Sequence, residues 1–429
     1  MKKVLVITYY WPPSGGGGVQ RWVKFTKYMA EFNVLPIVLT VDPSQASYAL
    51  IDDTLLGDVP SNLSVVTAKT HEPFRFYKKF ASKKEIPFGG FANEDNPGFL
   101  QKVSRFIRGN FFIPDARIGW NRDAYSKAVE LIRQHNITTV VTSSPPHSTQ
   151  LIGLKLKKEI GIQWIADMRD PWTDIYYYKK MYHSVWAKRI DKKMEFNVLK
   201  NADSVIVVSS SIKALFESKL PDQGRGKIVV IPNGYDEEDF KQQSVEKNTR
   251  FVITYTGTLA ENYHIDGFLN ALNRFVCENN TAISVQFVGR VCDKYRRLIE
   301  DSTLSSVVSF IGHVDHNSSI AFLQQADALF LAIPDVPHNE GILTGKLFEY
   351  LASQKPIIGI GPVKGDAALI IDECSAGKIF SYSDEEEMYS YLHDLFDDWQ
   401  NSSQTVEKKD TYKKYSRKQL TRNLVEMIP

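Results

Sequence analysis

Short apolar runs of strand length alternate with segments of helical period along this chain, and that rhythm constrains its fold more than any other feature. A strand is expected over Val4–Thr8, a helix over Trp22–Phe32 and a second strand over Pro36–Val41. The alternation continues with helix Asn121–His135, strand Thr138–Thr142, helix Ser148–Ile160 and strand Gln163–Ala166. Helix Ser184–Lys200 precedes strand Ser204–Val208, helix Ser211–Ser218 and strand Lys227–Ile231. These runs lack the polar alternation of a half-exposed strand. They therefore predict parallel sheets covered by helices on both faces, an α/β architecture.

The rhythm then stops and restarts. Asn233-Gly234 makes a turn, and residues 235–250 are charged and poor in apolar side chains, which marks the main boundary. Strand Phe251–Thr256 opens a second series: a helix from Asp266, strand Ser284–Val288, helix Lys294–Asp301 and strand Val307–Ile311. Helix Ser318–Gln325 and strand Ala328–Ile333 follow, and an acidic helix Glu385–Trp399 and a basic helix Tyr412–Met427 are expected near the end. A length of 429 residues suits two such units.

A formal net charge of +2 gives no global attraction to nucleic acid. Cys277, Cys292 and Cys374 have neither metal nor disulfide spacing, so a reducing, cytoplasmic compartment is expected. No apolar run approaches the roughly 18 residues of a membrane span. The start M-K-K-V-L-V-I-T-Y-Y-W is followed by Pro-Pro-Ser-Gly instead of a cleavage site and reads as a buried first strand, not a secretion signal.

Several constellations sit where strands end, the edge at which open α/β sheets bind ligands. The loop P-P-S-G-G-G-G-V-Q-R, residues 12–21, fails the dinucleotide spacing because Gln20 and Arg21 stand where the third glycine is needed. Gly16, Gly17 and Gly18 instead suit close backbone approach to a phosphate or sugar, or a merely flexible loop. Residues 142–150, T-S-S-P-P-H-S-T-Q, place His147 either in a cleft or at a helix start without chemistry. Asp167, Arg169 and Asp170 crowd three charges after another strand, ahead of Trp172. Such crowding is costly unless the charges pair or bind something. Gly257 and Thr258 in T-Y-T-G-T-L and Arg290 in Q-F-V-G-R end strands of the second series. Arg290 suits a diphosphate through bidentate contact, or a surface ion pair.

The stretch Pro337–Ile360 reads as loop, helix and buried strand. Thr344 or Gly345 caps the helix, Leu347, Phe348 and Leu351 form its apolar stripe, and Lys355-Pro356 ends it. Lys346 and Glu349 on such an apolar helix, close to its N-terminus, are equipment for a phosphorylated ligand carrying hydroxyls.

Residues 69–122 hold eleven Lys or Arg against five Asp or Glu, and eleven aromatics including Phe74, Phe76, Tyr77, Phe80, Phe106, Phe111 and Phe112. That combination suits an anionic membrane surface or lipid-linked ligand, or an insertion whose cations are simply solvated.

In order and spacing, the glycine loop, S-S-P-P-H, D-M-R-D-P-W, A-D-S-V-I-V-V-S, I-P-N-G-Y-D-E-E-D-F, Y-T-G-T-L, I-G-H-V-D-H, A-D-A-L-F-L and G-K-L-F-E-Y-L-A-S-Q-K-P-I-I resemble a GT-B fold glycosyltransferase, closest to family 4. The resemblance covers nearly the full length. It implies two Rossmann-like domains facing across a cleft: an acceptor domain at 1–235 and a nucleotide-sugar donor domain at 236–410. A terminal helix at 411–429 would cross back onto the first. It also implies transfer of a hexose with retention from a UDP- or GDP-sugar to a glycan or lipid-linked acceptor, with no bound cofactor and usually no metal. A nucleotide-sugar 2-epimerase or hydrolase, or a non-catalytic sugar-nucleotide-binding protein, shares the fold. The location implied is cytoplasmic, or peripheral at the inner membrane face.

Carried onto this chain, the resemblance places Glu349 on the ribose of the donor. The donor would further meet Gly16, Gly17, Gly18, Gly257, Thr258, Arg290, Thr344, Gly345 and Lys346, and the acceptor His147 and Trp172. Three departures concern the chemistry. The family's first paired acid falls at Gly341, beside Glu340. Its diphosphate Arg and Lys correspond to Thr258 and His264, so phosphate neutralisation falls to Arg290, Lys346 or the glycine-loop helix. Its frequent histidine after the fourth strand is replaced by Arg169 and Asp170. Arg169, Asp170 and Glu340 are accordingly the expected catalytic groups.

Overall fold

The computed structural model describes residues 1–48, 50–71, 99–240, 247–279, 282–401 and 410–429. It divides into two compact units, Met1–Asn233 with Arg417–Pro429, and Gly234–Ser416. No described helix is long and apolar enough to cross a membrane.

The first unit holds a seven-stranded sheet of order β3-β2-β1-β4-β5-β6-β7, parallel throughout. Its strands are β1 (Lys2–Thr8), β2 (Val34–Val41), β3 (Ser64–Ala68), β4 (Thr139–Ser144), β5 (Gln163–Met168), β6 (Ser204–Val207) and β7 (Ile228–Val230). Among the described residues its helices are α1 (Gly17–Met29), α2 (Phe99–Phe111), α3 (Asn121–His135), α4 (Ser148–Ile160), α5 (Val185–Asn201) and α6 (Ser210–Ser218). Side chains alternate across the sheet. Leu5 and Ile7 of β1 join one core layer, while Val4 and Val6 join the other. Both layers are dry, which explains the unbroken apolar runs.

The second unit repeats the plan with six parallel strands in the order β10-β9-β8-β11-β12-β13. These are β8 (Phe251–Thr256), β9 (Ile283–Val288), β10 (Val308–Gly312), β11 (Ala328–Ala332), β12 (Ile357–Ile360) and β13 (Gly377–Phe380). Its described helices are α7 (Asp266–Asn279), α8 (Asp293–Glu300), α9 (His316–Gln325), α10 (Gly345–Ser353), α11 (Asp366–Glu373) and α12 (Glu385–Asn401). In each sheet the strand order reverses once, between β1 and β4 and between β8 and β11. Ligands of such sheets bind beyond the carboxyl ends of the strands at that reversal.

Three expectations need correction. The first helix begins at Gly17, five residues before the predicted Trp22, so Gly17 and Gly18 belong to its first turn while Gly15 and Gly16 precede it. The predicted single basic helix Tyr412–Met427 is broken at Ser416. A short turn of helix over Asp410–Tyr415 stays with the second unit, where the Tyr415 hydroxyl donates to Glu373 at 3.1 Å. Helix α13 (Arg417–Glu426) belongs to the first unit and buries Leu420 and Leu424 in the layer that holds Trp22 and Phe25 of α1. Residues 69–122 are also not wholly a surface insertion. Trp120 lies in the core with no exposure, and buried Arg117 donates to the Ser47 carbonyl at 2.6 Å. Phe74, Phe76, Tyr77 and Phe80 lie outside the described residues.

Candidate functional site

In the first unit three loops converge at the strand reversal. The register that sets Thr8 beside Ser143, and Ser143 beside Asp167, brings the glycine loop, the S-S-P-P-H loop and D-M-R-D-P-W to one edge. Gly16, with φ of 110°, occupies a conformation that favours glycine and starts α1. Gly18 is needed for a different reason. A Cβ there would stand 1.9 Å from Nη1 of Arg169, so the missing side chain makes room for the guanidinium. Arg169 also donates from Nε to the Ser144 carbonyl at 3.1 Å and from Nη2 toward that of Pro145 at 3.5 Å. It thus ties two loops together. Asp170, beside it, has its carboxyl pushed up by burial, opposed by the Arg169 charge.

Asp167 does not pair with Arg169. It is fully buried and accepts from Nη2 of Arg21 at 3.0 Å, Nε1 of Trp22 at 2.8 Å and the Ser143 hydroxyl at 2.8 Å. Arg21 donates further to the carbonyls of Pro232 and Ile231, at 2.6 and 2.9 Å. This network clamps α1 to the sheet end and so holds the glycine turn in place. Sequence reading assigned no role to Arg21, although it closes the P-P-S-G-G-G-G-V-Q-R stretch.

His147 and Trp172 stack face to face, ring centres 4.8 Å apart and 12° from parallel. Trp172 is only 2% exposed, and its indole donates to Asp191 at 2.6 Å. It therefore supports the imidazole from within the core. Burial, with Arg169 and Lys219 adding positive charge nearby, lowers His147 to about 3. At ordinary pH the ring is neutral, and its buried Nδ1 has no hydrogen-bond partner among the described residues. The start of α4 is already occupied: Asp115 accepts from the Ser148 N–H at 2.7 Å and its hydroxyl at 2.8 Å. That helix end is not an anion site.

In the second unit the strand ends press together. A Cβ on Gly289 would lie 2.2 Å from the Gly257 carbonyl oxygen, so two glycines allow β8 and β9 to meet there. Gly257 has φ of 98°, and a Cβ on it would stand 3.2 Å from Nζ of Lys346. Lys346 reaches from the first turn of α10 to the end of β8. Its Nζ donates to the Tyr255 hydroxyl at 2.8 Å, lies 4.1 Å from that ring's centre, and the hydroxyl in turn donates to the Thr258 carbonyl at 2.8 Å. Burial lowers Lys346 to about 7, partly offset by Glu349 one turn along the helix. Thr344 stands at the N-cap position, but its side chain makes no cap and its buried Oγ1 has no partner among the described residues. A helix N-terminus, an unsatisfied hydroxyl and an amine whose ammonium form an anion would favour thus share one helical turn.

Leu347, Phe348 and Leu351 are buried as the apolar stripe requires, and Tyr350 accepts from the Thr256 N–H at 2.9 Å. Both anchors hold α10 against β8. Glu349 is half-buried on the same helix. His264, at the position of the family's diphosphate Lys, hydrogen-bonds Asp335 at 2.9 Å, and Arg290, an expected cation, is exposed. Glu340 is exposed on a short turn, Asn339–Gly341, which is held by Asn339 donating to the Pro334 carbonyl and Tyr382 hydroxyl at 3.0 Å each. Tyr255 went unnoticed in the sequence, where Y-T-G-T-L drew attention to Gly257 and Thr258.

A bound anion at α10 favours the ammonium form of Lys346, so binding at neutral and higher pH takes up a proton. Affinity for a diphosphate ligand should fall as pH rises from about 7 toward 9. Titration calorimetry in buffers of different ionisation heat should register the uptake, and a pH-independent affinity would contradict this placement.

Residues 87–239 match the family model Glycosyltransferase Family 4, and residues 236–419 match Glycosyl transferases group 1. Among solved structures, HepE of Anabaena in complex with UDP has a TM-score of 0.65 at 13% identity, covering 100% of this chain and 99% of that one. Sucrose-phosphate synthase of Thermosynechococcus elongatus follows at 0.58 and 13%, covering 100% and 95%. A Listeria monocytogenes structure described as a UDP-N-acetylglucosamine 2-epimerase reaches 0.55 at 12%, covering 100% and 96%. Identities this low speak to the fold. None of the curated proteins matches the chain significantly.

Proposed function

The chain belongs to the family 4-like glycosyltransferases of the GT-B fold, and on that premise we infer that it moves a hexosyl unit, with retention, from a UDP- or GDP-sugar to a glycan or lipid-linked acceptor. The observation that carries this reading is that Lys346, on the first turn of α10 beside the unpartnered Thr344 hydroxyl, reaches Gly257 at the end of β8. Transfer breaks the bond between the sugar's anomeric carbon and the diphosphate, and forms one to an acceptor hydroxyl. The departing diphosphate needs fixed positive charge, which a buried ammonium and helix N–H groups supply without reorganising. Glu349, on the same helix, would accept hydrogen bonds from the ribose hydroxyls. HepE is solved with UDP and with UDP-glucose, which supports UDP as the first nucleotide to test.

The first unit would receive the acceptor at the neutral His147 ring and the Arg169–Asp170 pair. Transfer is proposed to need no metal, and to take place at an anionic membrane face.

The test is a screen of UDP- and GDP-sugars with purified protein, with and without lipid-linked glycan acceptors and in the presence of EDTA. Sugar transfer that survives EDTA is expected. Donor conversion without any acceptor would favour an epimerase or hydrolase, and tight donor binding without turnover a binding protein. Glu349→Ala should weaken donor binding roughly tenfold or more, as expected when a carboxylate that accepts two hydroxyls is lost. Unchanged donor affinity would remove Glu349 from the ribose.

A further inference from the structure

We propose that the outer face of α2 and the first turns of α5 form a docking surface for an anionic lipid bilayer. This deepens the membrane reading above, which came from the composition of residues 69–122, by joining the helix at 99–111 of that segment to a second helix, α5, outside it.

The two helices are joined locally. The Asn110 side chain donates to the Tyr182 carbonyl at 3.1 Å and accepts from the Ser184 N–H at 2.7 Å. Gly109 lies so close to the Met181 carbonyl that a Cβ would stand 2.5 Å from it. Ser184 then caps α5 by accepting from the Ala187 N–H. The end of α2 and the start of α5 are therefore neighbours, and both point large apolar groups outward. Trp186 is 73% exposed, Phe111 74% and Val185 63%, with Phe106 and Ile190 beside them on the same helices at over 40%. Exposed apolar groups this large and this concentrated mark an interaction surface.

The charges choose the partner. Residues 99–111 contain no carboxylate, and residues 175–200 contain two, Asp191 and Glu195. Both are turned inward: Asp191 accepts from Trp172 and Tyr178, and Glu195 from Thr173. Lys188, Arg189, Lys192 and Lys193 remain outward on α5. Among the described residues of these two segments the exposed face is thus aromatic and aliphatic at its tip and basic around it, with both acids buried. An interfacial helix has this composition: Trp enters the headgroup boundary and the long basic stems reach the phosphates.

The full-length protein should sediment with phosphatidylcholine vesicles that contain phosphatidylglycerol and far less with phosphatidylcholine alone. Trp186 fluorescence should be quenched by brominated acyl chains in the mixed vesicles. Trp186→Glu combined with Phe111→Glu should weaken retention on the order of tenfold or more, and Lys188→Glu with Arg189→Glu should do so by roughly fivefold per charge lost. Both groups are exposed, so UDP binding in solution serves as a folding control for each variant.

Neutralising the basic residues between 75 and 84 in a separate protein separates the two ideas. If that change releases the protein while the Trp186 and Phe111 variant stays bound, the surface proposed here is overturned and the broader membrane reading survives. If the unaltered protein never sediments, both fall. Concentration-dependent dimerisation abolished by the Trp186 change, without vesicle binding, would assign the patch to a second copy and overturn the proposal. Retention is measured without sugar, so a lack of transferase activity does not affect it.

Discussion

Replacing Lys346 by methionine should lower kcat/KM for the nucleotide sugar on the order of 10²- to 10³-fold, the usual result of removing one preorganised charge-stabilising group. The side chain volumes are close, and Leu347, Phe348 and Leu351 keep α10 seated, so the helix should stay where it is. The effect on stability should have the opposite sign. The folded amine sits near 7 against an ordinary value of 10.5, so the unfolded chain binds more protons between those values. Stability therefore rises with pH through that window, and below it the buried ammonium opposes folding in full. Methionine removes that penalty. A variant as stable as the parent or more so, yet nearly inactive and with UDP affinity no longer dependent on pH above about 7, is the expected outcome. An active variant would transfer the phosphate role to Arg290.

Asp167→Ala should instead destabilise the first unit by about 3–5 kcal/mol, because it leaves the Arg21 guanidinium buried without its partner. Burial already lowers the pKa of Arg21, with Asp167 the main influence acting the other way. The change also strands the Trp22 indole and the Ser143 hydroxyl. For a unit of this size the melting temperature should drop by roughly 6–20 °C. With two units, the first should unfold as a separate, earlier transition in calorimetry. Adding Arg21→Met to an Asp167→Leu protein should recover part of the loss, since replacing both ions by apolar groups is often near neutral. A small loss for Asp167→Ala alone would mean that water reaches Arg21.

The legibility of the chain follows from range. The α/β class and the ends of β8 and β12 were readable because strands buried on both faces need unbroken apolar runs, a local signal. The start of α1 was misplaced because glycines argue against helix by propensity, while here Gly18 lies in the first turn and its missing side chain leaves room for the Arg169 guanidinium from the loop after β5. Asp167, Arg169 and Asp170 were recognised as a costly cluster, yet their pairing could not be read. Arg21 lies 146 positions away and meets Asp167 only through the sheet order. The burial of Trp172 was unreadable for a similar reason. A tryptophan after a strand looks the same whether it faces a ligand or, as here, Asp191 in the core.

The stretch Pro337–Ile360 shows the division most sharply. By itself the sequence determined that a cation and a carboxylate sit one turn apart on an apolar helix that begins near Thr344, because helical period and capping are local. Only the tertiary structure decided that Lys346 turns back across Gly257 to the Tyr255 hydroxyl, and that burial there lowers it to about 7. Burial and partners belong to the packed sheet. The same amine on a solvated helix would be an ordinary cation, and what makes it fit for a diphosphate is the strand end against which it is folded.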